Sequence, residues 1–244
     1  NTGGVPVRVE LARQVLDRGI PVDLAIPRQT VAVPKGETVV HETTIKWPDP
    51  ILWSVWNPHL YELRTTLTAD GRSKVVSDRF GFREFRIAGD HFELNGKPVH
   101  LFGASGLGQA GKPTFRHDVN MIANHLRDRR QLGYNTVRTG MKIPTFAGFH
   151  ALCDEIGMFS RIGSEMDDMT RGYIAYTDPR LHENNTRFMQ SQGAAWYNHP
   201  AIVFYDNGNE VYYHKESPEK LAELMFRTEQ AMLDFDPTRV VIHN

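Results

Sequence analysis

The sequence predicts a chain in two parts: an antiparallel β-sandwich over residues 1–88, then a strand–helix alternation around a parallel sheet over 89–244. Two observations predict it. Up to residue 88, short apolar or alternating runs recur between turn signals, and no long segment has helical period. Beyond residue 88, strand-length apolar runs alternate with amphipathic runs of helix length.

In the first part strands are expected over 5–9, 22–26, 38–45, 61–67 and 75–82. Asp17-Arg18-Gly19, Pro34-Lys35-Gly36 and Asp70-Gly71 mark turns between them, and Ala69-Asp70-Gly71-Arg72 suits a tight hairpin. In the second part strands are expected over 98–102, 135–138, 158–162, 201–205 and 240–242, and helices over 118–132, 145–156, 179–197 and 218–235. Asp118 is placed to cap the first of these helices, Gly133 to end it and Gly157 to close the second. A doubly wound sheet and a (β/α)₈ barrel both fit this alternation. No G-x-G-x-x-G follows the first of these strands, so a dinucleotide fold lacks its fingerprint.

Composition sets the frame. With 40% apolar and 23% charged residues, the chain reads as globular. A formal net charge of −1 gives no bulk field for nucleic acid or an anionic membrane, and no run approaches the ~20 apolar residues of a membrane span. A lone cysteine, Cys153, excludes an internal disulfide, and no metal or cofactor is expected. Asn-Thr-Gly-Gly opens the sequence without an initiator Met or signal peptide, so it reads as a piece of a longer chain.

One stretch carries chemistry. In "NHPAIVFYDNGNEV" (198–211) an apolar run ends abruptly in Asp206, Asn207, Gly208, Asn209 and Glu210. In a barrel, residues at the carboxyl ends of strands build the active site. An Asn–Glu pair after a strand also serves as a helix cap and first-turn acid.

Six segments, in order, share a resemblance: "LWSVWNPHLYEL" (52–63), "DRFGFREF" (78–85), "FELNGKPVHLFG" (92–103), "LGYNTVRTG" (132–140), "FHALCDEIGM" (149–158) and "NHPAIVFYDNGNE" (198–210). Together they resemble glycoside hydrolase family 2, which holds β-galactosidases, β-glucuronidases and β-mannosidases. The resemblance implies an immunoglobulin-like sandwich over 1–88, followed over 89–244 by an incomplete (β/α)₈ TIM barrel cut near its fifth strand. It implies a retaining, exo-acting β-glycosidase with a carbohydrate substrate. Glu210 would be the general acid/base, Asn209 the partner of the sugar 2-hydroxyl, and Arg138 a shaper of the sugar pocket. The nucleophile would lie beyond Asn244. Homo-oligomer formation and compartment are left open.

Departures from the family pattern stand at Met141, where it has a histidine, at 104–108, where one branch is histidine-rich, and at Ile162-Gly163, where it has Asp-Glu. Glu165, Asp167 and Asp168 follow, and solvated loop acids look the same. Two other readings compete: a non-catalytic carbohydrate-binding or assembly protein on the same scaffold, and an unrelated nucleotide-dependent α/β enzyme. Trp53, Trp56 and Trp196 read as core or domain-interface residues. His150 and Cys153, spaced i, i+3 on a helix, read as packing, because two ligands do not make a metal site.

Overall fold

The computed structural model describes residues 1–105, 118–138, 147–163, 177–208 and 217–243. The chain divides into two compact units, one of Asn1–Ile51 with His59–Phe82, the other of Leu52–Pro58 with Arg83–Asn244.

The first unit is built on one antiparallel sheet with strands β1 (Val7–Asp17), β2 (Ile20–Pro21), β3 (Gln29–Val33), β4 (Tyr61–Ala69) and β5 (Arg72–Phe80). β1 is long enough to pair with β2, β3 and β4. The β4–β5 hairpin turns on Asp70 (φ 49°) and Gly71 (φ 73°), between the paired residues Ala69 and Arg72. Two successive left-handed residues give a turn whose twist matches that of the strands, which is why Asp-Gly stands there.

Two expectations for this unit are corrected. Residues 22–26 and 38–45 join no ladder. In 22–26 the backbone bonds to itself at short range, Leu24 N to Val22 O and Ile26 N to Leu24 O, so little remains for a neighbouring strand. Strand β3, between Pro27 and Pro34, takes the place beside β1 instead. Leu24, Ile26, Thr43, Ile45 and Trp47 still lie with Val15, Leu63 and Phe80 around one apolar cavity of about 480 Å³. The sheet is thus layered by extended chain, as in a sandwich, without a second ladder among the described residues. Trp47, Tyr61, Phe80 and Phe82 close the layer as rings 4.7 to 6.1 Å apart.

The second unit opens with an antiparallel meander, β6 (Phe85–Ala88), β7 (His91–Leu94) and β8 (Lys97–Val99). The single strand expected over 98–102 is therefore two: its start is β8, and the parallel sheet begins later, at β9 (Gly103–Ser105). There follow α1 (Val119–Gln131), β10 (Thr136–Arg138), α2 (Ala147–Ile156), β11 (Ser160–Gly163), α3 (Pro179–Ala195), β12 (Ile202–Asp206), α4 (Pro218–Phe235) and β13 (Val240–Ile242). All pairings from β9 to β13 are parallel. β9 joins β10, β11 joins β12 and β12 joins β13. A Thr136–Phe159 bridge links β10 to the residue before β11. No helix among the described residues is long and apolar enough to cross a membrane.

Local chemistry sets the helix ends. Asp118 accepts from the amides of Asn120 and Met121, and Asp178 and Ser217 cap α3 and α4 ahead of Pro179 and Pro218. Gly133 (φ 91°) ends α1, with Tyr134 N bonded to Arg129 O. On α1 the buried residues are Ile122, Ala123 and Leu126, and Val119 at its start is exposed.

Gly157 (φ 76°) ends α2 where Trp53 and Val55 pass. Trp53 is fully buried, with its indole N–H on Asp154 O at 2.9 Å, and a Cβ on Gly157 would meet Val55 O at 2.6 Å. Gly157→Ala therefore combines backbone strain with a clash against fixed backbone. Gly96 has a similar φ of 72° but open space around it. The expected result is a thermal midpoint loss clearly larger for Gly157→Ala, by about 1–3 kcal/mol of overpacking, than for Gly96→Ala. Equal losses would deny the close approach.

Candidate active site

Side chains alternate across a strand, so every second residue of β10 to β13 shares a face. A bulge at Val203 keeps the two faces consistent: Ser160 pairs with Ile202, but Arg161 pairs with Phe204. One face packs on the helices. Ile162, Ile202 and Tyr205 join Met189 of α3 and Met232 of α4 in one fully buried cluster. The opposite face is aromatic at the amino ends of the strands. Phe159 and Phe204 each lie 5.3 Å from Phe85, and Phe92 stacks on Phe85, so β6 and β7 fill that end.

Toward the carboxyl ends that same face turns charged. Arg161 stands two residues past Phe159, and Asp206 two past Phe204. They are 5% and 2% exposed and form an ion pair. Burial, and then the Arg138 charge, pull the Arg161 guanidinium down to about 10. Arg138 ends β10 and is half-buried. Arg138 ends β10 and Asp206 ends β12, with Arg161 on β11 between them, toward the carboxyl side of three neighbouring parallel strands, where an α/β sheet builds its sites. Of the three candidates named from sequence, Arg138 is placed. Asn209 and Glu210 lie outside the described residues, as do Met141, Gly106, Glu165, Asp167 and Asp168.

The exit of β12 is closely held. Asn207 is fully buried, and its Nδ2 donates to Met225 O of α4 at 3.0 Å. Its Oδ1 accepts from Asn185 Nδ2 of α3 at 3.1 Å, and its backbone N donates to Ile242 O of β13 at 2.8 Å. Asp206 and Asn207 were named from sequence only as the polar end of the β12 run, and Arg161 was not named. A signal existed: an arginine between Phe159 and Ile162 in a buried strand needs a buried partner.

His150 and Cys153 pack in the core. Burial raises the Cys153 thiol well above its ordinary value. Burial, then the neighbouring His199 and Arg239, push His150 down to about 3. His150 is thus neutral when folded, with Nδ1 3.1 Å from Ser160 Oγ and its ring 4.8 Å from that of Trp196. A histidine depressed from its unfolded value near 6.5 makes the unfolded state bind more protons, so stability falls as pH drops from about 6.5 toward 3. Urea midpoints measured from pH 7 to 4 should show this fall, and His150→Phe should flatten it. An unchanged slope in the variant would assign the fall to other groups. Among the described residues no three His, Cys, Asp or Glu side chains are placed to hold a metal ion.

Residues 1–83 match the family model for glycosyl hydrolases family 2. A β-galactosidase of Halalkalibacterium halodurans is 25% identical over 209 residues, which is 79% of this chain and 19% of that protein. A β-galactosidase of Priestia megaterium is 28% identical over 78% of this chain and 19% of its own length. Over these stretches the chain is similar to the family 2 glycosyl hydrolases. Solved structures carry the relation through the second unit as fold. Bacteroides uniformis β-glucuronidase 2 superposes over 100% of this chain and 30% of its own, with TM-score 0.80 and 23% identity. Parabacteroides merdae β-glucuronidase covers 98% of this chain and 29% of its own, with TM-score 0.73 and 22% identity. The chain thus spans about a fifth of the curated proteins it matches and under a third of these structures.

Proposed function

We propose that the chain is part of a retaining, exo-acting β-glycosidase, with an immunoglobulin-like sandwich in the first unit and the first strands of a (β/α)₈ barrel in the second. The observation that carries this reading is the sequence Asn207-Gly208-Asn209-Glu210 following β12, in a chain whose strand β10 ends in Arg138. Strand order supports the barrel. A doubly wound sheet reverses its direction at a switch point, whereas β9 to β13 follow one another in chain order.

In this reading Glu210 protonates the departing glycosidic oxygen and then takes a proton from the attacking water. A second carboxylate about 5–5.5 Å away attacks the anomeric carbon and forms the glycosyl-enzyme. Family resemblance puts that carboxylate on a later strand. Asn209 binds the sugar 2-hydroxyl, a contact that strengthens in the transition state. Arg138 shapes the pocket wall, with the Arg161–Asp206 pair beneath it. The solved Bacteroides uniformis β-glucuronidase 2 is covalently bound to cyclophellitol-6-carboxylate aziridine. A covalent adduct is what a mechanism with an enzyme nucleophile predicts. A non-catalytic binding protein would need no acid after β12, and no observation favours it.

The test is hydrolysis of aryl β-galactosides, β-glucuronides and β-mannosides by the full-length protein. Turnover of one class, lost in Glu210→Ala, is expected. No turnover of any aryl β-glycoside, with sugar binding retained, would favour the binding protein.

A further inference from the structure

We propose that residues 38–46 are a strand of a second sheet in the first unit, and that a strand from elsewhere in the full-length protein pairs with them and fills the cavity beneath. The proposal rests on the reading above only in taking this chain as part of a longer one. Along this segment His41, Thr43, Ile45 and Trp47 line the cavity of about 480 Å³, and Glu42, Thr44 and Lys46 between them are exposed. That period of two is a strand's. Yet among the described residues no backbone N–H or C=O of 38–46 bonds to another backbone group. Strand periodicity with an open row of backbone donors and acceptors is the template for strand addition.

The first unit holds no partner of its own. All its residues are described, and each of its strands already belongs to the sheet built on β1 and β4. From that sheet Val15, Leu63 and Phe80 face the same cavity. One wall is thus a full sheet and the other a single segment. An apolar interior left open to water invites association, so a permanent cover from the same polypeptide fits better than a transient partner. The solved structures that share this fold hold the chain for it, since 1–244 spans under a third of each. The wall sets the chemistry of the missing strand. Toward Ile45, Trp47 and Phe80 its inward residues are apolar. Arg13, also on the cavity, donates from Nη1 to Gln29 Oε1 at 2.9 Å and to Thr43 Oγ1 at 3.2 Å. No carboxylate among the described residues pairs with Arg13. A half-buried guanidinium is best held by an acidic partner, so the missing strand carries a carboxylate or an amide oxygen there.

Two measurements on the full-length protein test this. The first is backbone amide exchange, which reads pairing without any substitution. At least every second amide of 39–46 should exchange as slowly as those of β4 and far more slowly than those of the Asp70-Gly71 turn. The rates should be the same in dilute and concentrated samples. The second uses Ile45→Phe and Leu63→Phe, each of which enlarges one wall of the cavity. Where partner side chains occupy the space, both substitutions overpack it and lower the thermal midpoint. An empty cavity would accept the larger ring, with the midpoint unchanged or raised. Fast exchange throughout 39–46, or a midpoint that holds or rises in either variant, would overturn the proposal. Protection that appears only in the concentrated sample would assign the cover to a second copy and overturn it as well. Neither measurement reads catalysis. Slow exchange and lowered midpoints in a protein without glycosidase activity would uphold the strand and overturn only the glycosidase reading.

Discussion

Glu210→Gln in the full-length protein should lose activity selectively, by roughly 10²–10⁴-fold on glycosides with poor leaving groups and far less on aryl glycosides of acidic phenols. Glutamine keeps the size and hydrogen bonding of glutamate but delivers no proton. An acidic phenol leaves without help, so the first step proceeds. Deglycosylation still needs a base to activate water, so the glycosyl-enzyme should accumulate and appear as a burst. The measurement is the ratio of mutant to wild-type kcat/KM across phenols of rising pKa. A loss that stays flat across the series would remove Glu210 from the acid role.

Asp236→Ala should be the most damaging single substitution for stability in the second unit. Asp236 is 1% exposed and Arg239 3%. Asp236 pairs with Arg239 and accepts from Tyr205 Oη at 2.9 Å and from Thr238 N at 3.0 Å. Burial works to raise its carboxyl, but the Thr238 hydrogen bond and the Arg239 charge outweigh it and hold it below the ordinary range. Arg239 also donates to Ile202 O at 3.1 Å and Tyr197 O at 2.8 Å, tying β12 to the end of α3. Arg83 adds a second cation nearby, bonded to Thr238 O at 2.6 Å and Ile202 O at 2.8 Å. Burial, and then Arg239, pull it down to about 10. Without Asp236 the buried Arg239 keeps its charge near the half-buried Arg83 and loses its carboxylate partner. Breaking a buried pair from one side costs about 3–5 kcal/mol, or roughly 6–20 °C in thermal midpoint. Asp236→Leu with Arg239→Met should recover much of that loss, because no stranded charge remains. A double variant as unstable as Asp236→Ala would point to packing instead.

The residues that stop and start helices were legible because their chemistry is local. Asp118, Gly133 and Gly157 each need only their own neighbours to act, and so does the Asp70-Gly71 turn. Strand partners were less legible. Residues 22–26 and 38–45 carry strand-like composition, yet the edge beside β1 went to 29–33, whose alternating Thr30, Val31, Ala32 and Val33 were the better signal. A ladder depends on which segment reaches an edge first in space, and composition does not record that. At the site, Arg138 was named through resemblance. Arg161 and Asp206 were given no role because each is an ordinary charge in sequence, and only the Val203 bulge brings them onto one face of the sheet. Asn185 and Asn207, 22 residues apart, meet through the packing of α3 on β12.

If this chain carries the acid/base half of a two-step β-glycosidase, proton NMR of the first-formed sugar will show retention at the anomeric carbon. The full-length protein should release the β-anomer from an aryl β-glycoside, with the α-anomer appearing only later through mutarotation. Retention follows from two successive inversions at the anomeric carbon. An α-anomer as the first product would mean one displacement by water, with two carboxyl groups about 6.5–9.5 Å apart, and no glycosyl-enzyme.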